Sequence, residues 1–219
     1  MSTQNENVPR DNLLSVIIPI WRGRAYIPAC LESVTQQANV RVEIIAVDNA
    51  SGDGAAEWIG EQYPHVHVIR NPVNLGFAGA CNLGMRAAHG DLLLLLNQDT
   101  RMKPGCLLGI QQAFDNPDVG VVGCKIFYPD SQIIQHAGGR VDWPLGLTHH
   151  WGYREPDAEV WNVAKTVDYV TGAALAFRRD ILTRVGMLDE GFWPGYFEDV
   201  DFCLRVRKAG YQVLYEPRA

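Results

Sequence analysis

The chain has no CxxC pair: its five cysteines, Cys30, Cys81, Cys106, Cys124 and Cys203, are odd in number and widely spaced. That argues against a zinc knuckle or a redox dithiol and suits a reducing cytoplasm. HExxH, GxSxG, GxGxxG and GxxxxGK[ST] are all missing. Zinc hydrolysis, an α/β-hydrolase elbow, a dinucleotide fingerprint and a Walker loop are therefore disfavoured. Nor is there an excess of positive charge. With 19 Lys+Arg against 25 Asp+Glu the formal charge is -6, which offers no broad electrostatic footprint for nucleic acid. No apolar run approaches membrane-spanning length, and the leader MSTQNENVPRDN has no apolar h-region. Internal repeats and low-complexity tracts are likewise missing.

What is present is enough apolar material, 47% of 219 residues, to bury a substantial core. We expect a polar leader over 1–12 and one domain over 13–219. The most informative stretch is DLLLLLNQDT, Asp91 to Thr100. Five leucines of strand length read as a strand buried on both faces, and the polar end must emerge where the sheet meets solvent. Open α/β sheets bind ligands at that end. Asp99 thus has the place of a carboxylate suited to a divalent cation carrying phosphates.

Other segments repeat the pattern. Leu13–Ile20 and Val42–Val47 read as strands, Ala25–Gln37 and a stretch around Glu57 and Trp58 as helices, Val66–Ile69 as a short strand and Gly76–His89 as a helix. Such alternation implies right-handed crossovers and a mostly parallel sheet covered on both faces. A helix at Gly105–Phe114 and a strand at Val119–Phe127 follow. Residues 128–165, rich in Gly, Pro, Trp and His, read as an excursion lining a binding site. A strand at Val167–Phe177, a short helix at Arg179–Val185, a helix from Glu198 to Ala209 capped by Gly210, and a strand at Tyr211–Tyr215 complete the reading. The chain stops directly after that strand, as expected of a piece of a longer polypeptide.

Asp48 and Asn49 follow one strand and Asp99 another, so separate strand ends deliver side chains to one sheet edge. Asp48 suits the imide proton of a pyrimidine base, whereas Ser51 and Asp53 suit turn and helix-cap roles. Small residues at Gly76, Gly79 and Gly84 allow close approach of a ligand or of another backbone. Asp199 starts the stripe continued by Cys203 and Val206, so it should face the sheet beneath Trp193 and Tyr196, where a carboxylate can act as a general base. Asp201 is out of phase and should turn toward Arg205. His136, His149 and His150 lie in the excursion, without paired metal-ligand spacing.

In order, SVIIPI, VDNASGD, NPVNLGFAGACN, LLLLLNQDT, VTGAALAFRR and GYFEDVDFCLR resemble the successive signatures of family 2 glycosyltransferases of the GT-A fold, over about Leu14 to Pro217. Within the family the chain is most similar to the bacterial rhamnosyltransferase-like branch of O-antigen and cell-wall polysaccharide synthesis. The resemblance implies an α/β GT-A fold with a mixed, mostly parallel sheet. It also implies inverting transfer from a nucleotide-diphosphate donor (a UDP- or dTDP-sugar, dTDP-rhamnose among them) to a hydroxyl of a saccharide or lipid-linked acceptor. By position, Pro19, Ile20, Asp48, Asn49, Asn74, Gly76 and Asn82 would hold the nucleotide-sugar, with Asn97 and Gln98. Asp99 would hold Mg²⁺ or Mn²⁺, Asp199 would be the general base with Glu198 beside it, and Thr171, Gly172, Ala173 and Trp193 would flank the donor sugar and acceptor. Asp48, Asp99 and Asp199 should then meet around a single pocket. The resemblance places the protein in the cytoplasm, peripherally at the inner face of the membrane.

Two departures stand out. Asn97 occupies the place of the first aspartate of a strict DXD, and the chain ends before the region where relatives supply a further histidine and membrane-associating helices. Two other readings fit parts of the pattern. A sugar-nucleotide nucleotidyltransferase should carry a Gly-rich basic loop after the first strand, of which Trp21–Arg24 is a thin version. A non-catalytic nucleotide-binding module of a longer protein would tolerate loss of Asp199.

Overall fold

The structure, a computed structural model, describes residues 13–219, and the expected leader lies outside the described residues. The first half alternates β1 (Leu14–Ile20), α1 (Ile27–Thr35), β2 (Val42–Asn49), α2 (Ala55–Gln62), β3 (His67–Asn71), α3 (Gly76–Ala87) and β4 (Leu92–Leu96). The second half opens with α4 (Cys106–Ala113) and β5 (Val119–Cys124). Two hairpins follow, β6 (Ile126–Phe127) with β7 (Ile134–His136) and β8 (Gly139–Asp142) with β9 (Leu147–His150). Then come β10 (Lys165–Thr166), β11 (Ala174–Arg178), α5 (Leu182–Val185), α6 (Glu198–Lys208) and β12 (Gln212–Glu216).

Eight strands form one sheet in the order β10, β12, β5, β11, β4, β1, β2, β3. β1 runs parallel to β2 and β4, β2 to β3, and β5 to β12. Every residue of β4 is buried, as a central strand covered on both faces requires. Its leucines divide by the two-residue period of a strand. Leu93 and Leu95 join the core packed by α3 and α6, while Leu92, Leu94 and Leu96 join the core packed by α1, α2 and α4. The glycine at 84 lets α3 lie almost on the sheet: a Cβ there would meet the Ile17 Cγ2 methyl at 2.3 Å.

Besides the edge strand β10, antiparallel to β12, one strand breaks the parallel pattern, and that break positions the site. β11 is antiparallel to both β4 and β5, with Ala174 opposite Leu96. Its entry therefore lies at the exits of its neighbours. The Asn97 N–H donates to the Ala173 carbonyl at 2.9 Å, so Thr171–Ala173 sit directly beside the polar end of β4.

Two expectations are corrected. The strand foreseen over Val167–Phe177 is regular only from Ala174. Before it, Val167 bonds to Val213 and Tyr169 bridges to Gly139, after which Gly172 turns its N–H out of the ladder to Asp199. The excursion also has strands of its own, tied down by Lys125 to Asp157 at 3.0 Å and by the Tyr215 hydroxyl donating to the Trp161 carbonyl at 2.8 Å. Its short strands could not be seen by periodicity because turns interrupt them every few residues. The five cysteines are all buried and unpaired. Among the described residues no helix is long and apolar enough to cross a membrane.

Candidate active site

At the exit of β4 and the entry of β11 a cavity of about 340 Å³ is lined by Asn97, Thr171, Gly172, Ala173, Glu198 and Asp199, with Phe77 and the Pro194–Tyr196 turn completing the wall. Two acids reach it from the first turn of α6. The Asp199 carboxylate accepts the Gly172 N–H on Oδ2 at 2.7 Å and the Val200 N–H on Oδ1 at 2.8 Å. Burial raises its pKa above the ordinary carboxylate value, and those backbone donors hold the rise in check. Each oxygen keeps a lone pair for a hydroxyl. Glu198 is only 5% exposed, and its Oε2 has no hydrogen-bond partner. Burial, with the Asp199 charge beside it, pushes its pKa up to about 7. Asp199 thus presents two acceptor oxygens, and Glu198 beside it titrates near neutrality. As the phase of the helix predicted, Asp201 turns away to Arg205, at 2.7 Å.

The donor-side residues divide into those free to meet a ligand and those that build the edge. Asn49 is 4% exposed and fully engaged: its amide donates to Asn74 Oδ1 and the Gly76 carbonyl, and its Oδ1 accepts from Asn71 and the Leu75 N–H. It brackets the loop after β3 to the end of β2. Asn74 is thereby held at the surface. Gly76 has φ +73°, and a Cβ there would meet Trp193 Cδ1 at 2.8 Å and the Pro194 carbonyl at 2.9 Å. Only glycine accommodates both the conformation and the contact. Trp193, 65% exposed, covers this turn and does not line the cavity.

Gln98 acts as a clasp, its amide accepting from the Trp21 N–H and donating to the Trp21 carbonyl, both at 3.0 Å. Its side chain is thus occupied in holding the loop after β1. Asn82 is a correction: it is 2% exposed, bonds Leu188 and Glu190, and serves to fix the chain leading to α6. Ile20 is another, with its side chain in the core and its carbonyl taken by the Ser51 hydroxyl. Pro19 is half-buried in β1 beside it. Asp53 receives the N–H groups of Arg24 and Ala55, the turn role foreseen for it, whereas the N-cap of α2 is Gly54.

Asp48 and Asp99 lie on the same sheet edge as Asp199, but neither lines the cavity. The expectation that the three would meet around a single pocket is corrected: the cavity, open to solvent at the β4–β11 junction, takes Asp199 alone of the three, and Asp48 and Asp99 stand on the strand-end rim beside it. Asp99 is exposed at the turn after β4. Among the described residues no three His, Cys, Asp or Glu side chains are grouped to hold a metal ion. One carboxylate beside Asn97 fits a hard cation that takes its remaining oxygens from a bound diphosphate.

The excursion contributes what sequence reasoning did not place: a histidine pair. His136 is 1% exposed, and its Nδ1 lies 2.7 Å from Nδ1 of His150. The Thr171 N–H donates to its Nε2 at 3.3 Å. Phe77, in the first turn of α3, was also not foreseen as a cavity wall. Its ring lies within 3.1 Å of where a Cβ on Gly172 would stand.

An open sheet with a reversed strand at its switch, acids at a helix start and a carboxylate at the adjoining strand end define a sugar-nucleotide transferase domain of the GT-A fold. The fold is matched by the solved structure of GalNAc-T7 with UDP, GalNAc and Mn²⁺, at TM-score 0.75 and 18% identity, over 94% of this chain and 42% of that one. The family model "Glycosyl transferase family 2" matches residues 15–186, and the chain belongs to that family. It is 27% identical over 232 residues to the N-acetylglucosaminyl-diphospho-decaprenol L-rhamnosyltransferase of Mycobacterium tuberculosis, covering 95% of this chain and 75% of that protein. It is 31% identical over 220 residues to an uncharacterised protein of Sinorhizobium fredii, covering 94% of this chain and spanning 24% of that protein's length.

Proposed function

We propose that the chain is the catalytic domain of an inverting glycosyltransferase that moves a sugar from a UDP- or dTDP-linked donor to a hydroxyl of a saccharide or lipid-linked saccharide, in cell-surface polysaccharide synthesis. The observation that carries the reading is the cavity in which Asp199 faces the end of β4 across Thr171–Ala173. A base on one side and a diphosphate-binding rim on the other is the arrangement a single displacement needs. The acceptor oxygen attacks the anomeric carbon while its proton passes to Asp199. The bond from that carbon to the diphosphate oxygen breaks, its electron pair leaves with the nucleotide, and the configuration inverts.

Asp99 would hold Mg²⁺ or Mn²⁺, whose charge would stabilise the leaving diphosphate. Asp48 and Asn74 would contact the nucleoside from the rim, and Glu198, protonated near neutrality, would donate a hydrogen bond on the acceptor side. The mycobacterial relative's name supports rhamnose as the sugar and a diphosphate-linked lipid saccharide as the acceptor. Such an acceptor would bring the domain to the cytoplasmic face of a membrane.

The test is Asp199→Asn in the protein, screened first for the UDP- or dTDP-sugar whose binding with Mn²⁺ raises its melting temperature. Donor binding should persist while transfer falls by roughly 10²- to 10⁴-fold, the range of a lost general base. Undiminished transfer would remove Asp199 from the chemistry.

A further inference from the structure

The histidine pair lies outside the machinery described so far, yet it is built onto the same two residues that hold the base. Thr171 and Gly172 are consecutive, and their N–H groups point to His136 and Asp199 respectively. The hydrogen bonds decide where the protons sit. Because Nε2 of His136 accepts from Thr171, that nitrogen carries no hydrogen. Burial holds the His136 pKa down at about 3, so the ring is neutral and its proton is on Nδ1. Nδ1 of His136 therefore donates to Nδ1 of His150, which must be bare. A neutral His150 then carries its proton on Nε2. No group among the described residues accepts that proton.

His150 is held in place on two further sides. The two imidazoles pack edge to face with centroids 4.7 Å apart, and the Tyr169 ring lies 5.8 Å from His150. The outer edge of His150 opens on a second cavity of about 340 Å³, shared with Thr148, His149 and Tyr153. His150 is joined to Asp199 through His136 and the consecutive Thr171 and Gly172. The lining of the second cavity holds hydroxyls, imidazoles and an aromatic ring, with no lysine or arginine. Hydroxyls and the Nε2–H of His150 match sugar hydroxyls, while the Tyr153 ring carries the Arg154 guanidinium 5.2 Å from its centroid.

We propose that this cavity is the subsite for the acceptor's saccharide ring, with His150 donating its Nε2–H to an acceptor oxygen and His136 positioning it by fixing its tautomer. The proposal rests on the transferase reading above and adds to it where the acceptor lies and what recognises it.

The experiment uses the protein saturated with UDP or dTDP and Mn²⁺, and a panel of methyl glycosides of glucose, N-acetylglucosamine, galactose, mannose and rhamnose. Binding is followed by saturation-transfer NMR. We expect at least one glycoside to bind, and to bind roughly tenfold more weakly to His150→Ala, the effect of one lost neutral hydrogen bond. His150→Gln, which keeps an N–H near the Nε2 place, should recover most of the affinity. His136→Asn should retain binding and His136→Leu should lose it, with nucleotide affinity equal in all variants. Long-range ¹⁵N–¹H spectra should show His136 protonated on Nδ1 and His150 on Nε2. Unchanged glycoside binding in His150→Ala, a proton on Nδ1 of His150, or a wild-type protein that binds nucleotide but no glycoside would each overturn the subsite and leave the donor site standing. A wild-type protein that binds no nucleotide would instead overturn the transferase reading beneath it.

Discussion

Replacing Glu198 by glutamine should make the protein more stable at high pH than at low pH relative to wild type. In the fold Glu198 is 5% exposed with Oε2 unpartnered, and its pKa rises from 4.5 to about 7. The sign follows from linkage: a carboxyl whose folded pKa lies above its unfolded value favours the fold when protonated. That contribution is fully present below about 4.5 and is lost as pH rises through about 7. A shift of this size corresponds to about 3 kcal/mol, at 1.36 kcal/mol per pKa unit. Glutamine cannot ionise. The difference in unfolding free energy between Glu198→Gln and wild type should therefore grow by about 3 kcal/mol in favour of the variant from about pH 4 to about pH 9. Any cost of burying the amide itself is independent of pH and cancels from that change. Urea unfolding of both proteins across the range measures it. A difference that stays flat with pH would refute the claim that Glu198 is ionised in the fold only at the expense of stability.

The remaining predictions concern the rim and the frame. Asp99→Ala should abolish the Mn²⁺ dependence of nucleotide binding, read by calorimetry with and without the ion, while leaving the melting temperature of the free protein nearly unchanged because Asp99 is exposed. Asn49→Ala should destabilise the protein by roughly 1–3 kcal/mol, because it removes four hydrogen bonds around a buried side chain and leaves partners unpaired. The same change should weaken nucleotide binding by releasing Asn74, and a variant equal to wild type in both would contradict the bracket. Gly84→Ala should lower stability by about 1–3 kcal/mol through overpacking against Ile17. Measured neutrality would mean that α3 shifts without loss.

Which parts of this were written in the chain and which were not follows from the range of the forces involved. The five leucines of β4, the alternation of strands with helices and the inward phase of Asp199 are local patterns of period two or 3.6, and they appear in the fold as the sequence implied. Asp53 in a turn and Asp201 turned to Arg205 were legible for the same reason. Asn82 and Ile20 were misread because a polar residue within a helix, or an apolar one at a strand end, has the same sequence signature whether it meets a ligand or a neighbouring segment. For Asn82 the deciding partners, Leu188 and Glu190, are more than a hundred positions away.

By itself, then, the sequence determined the sheet, its buried strands and the edge at which chemistry would gather, since burial and backbone pairing act residue by residue along each element. Tertiary structure alone decided that β11 runs backwards between β4 and β5, which brings Thr171 and Gly172 to the exit of β4. It alone turned two histidines fourteen positions apart into one hydrogen-bonded pair joined through those residues to Asp199. Contacts of that kind depend on strand direction and hairpin register, and neither leaves a periodic mark in the chain.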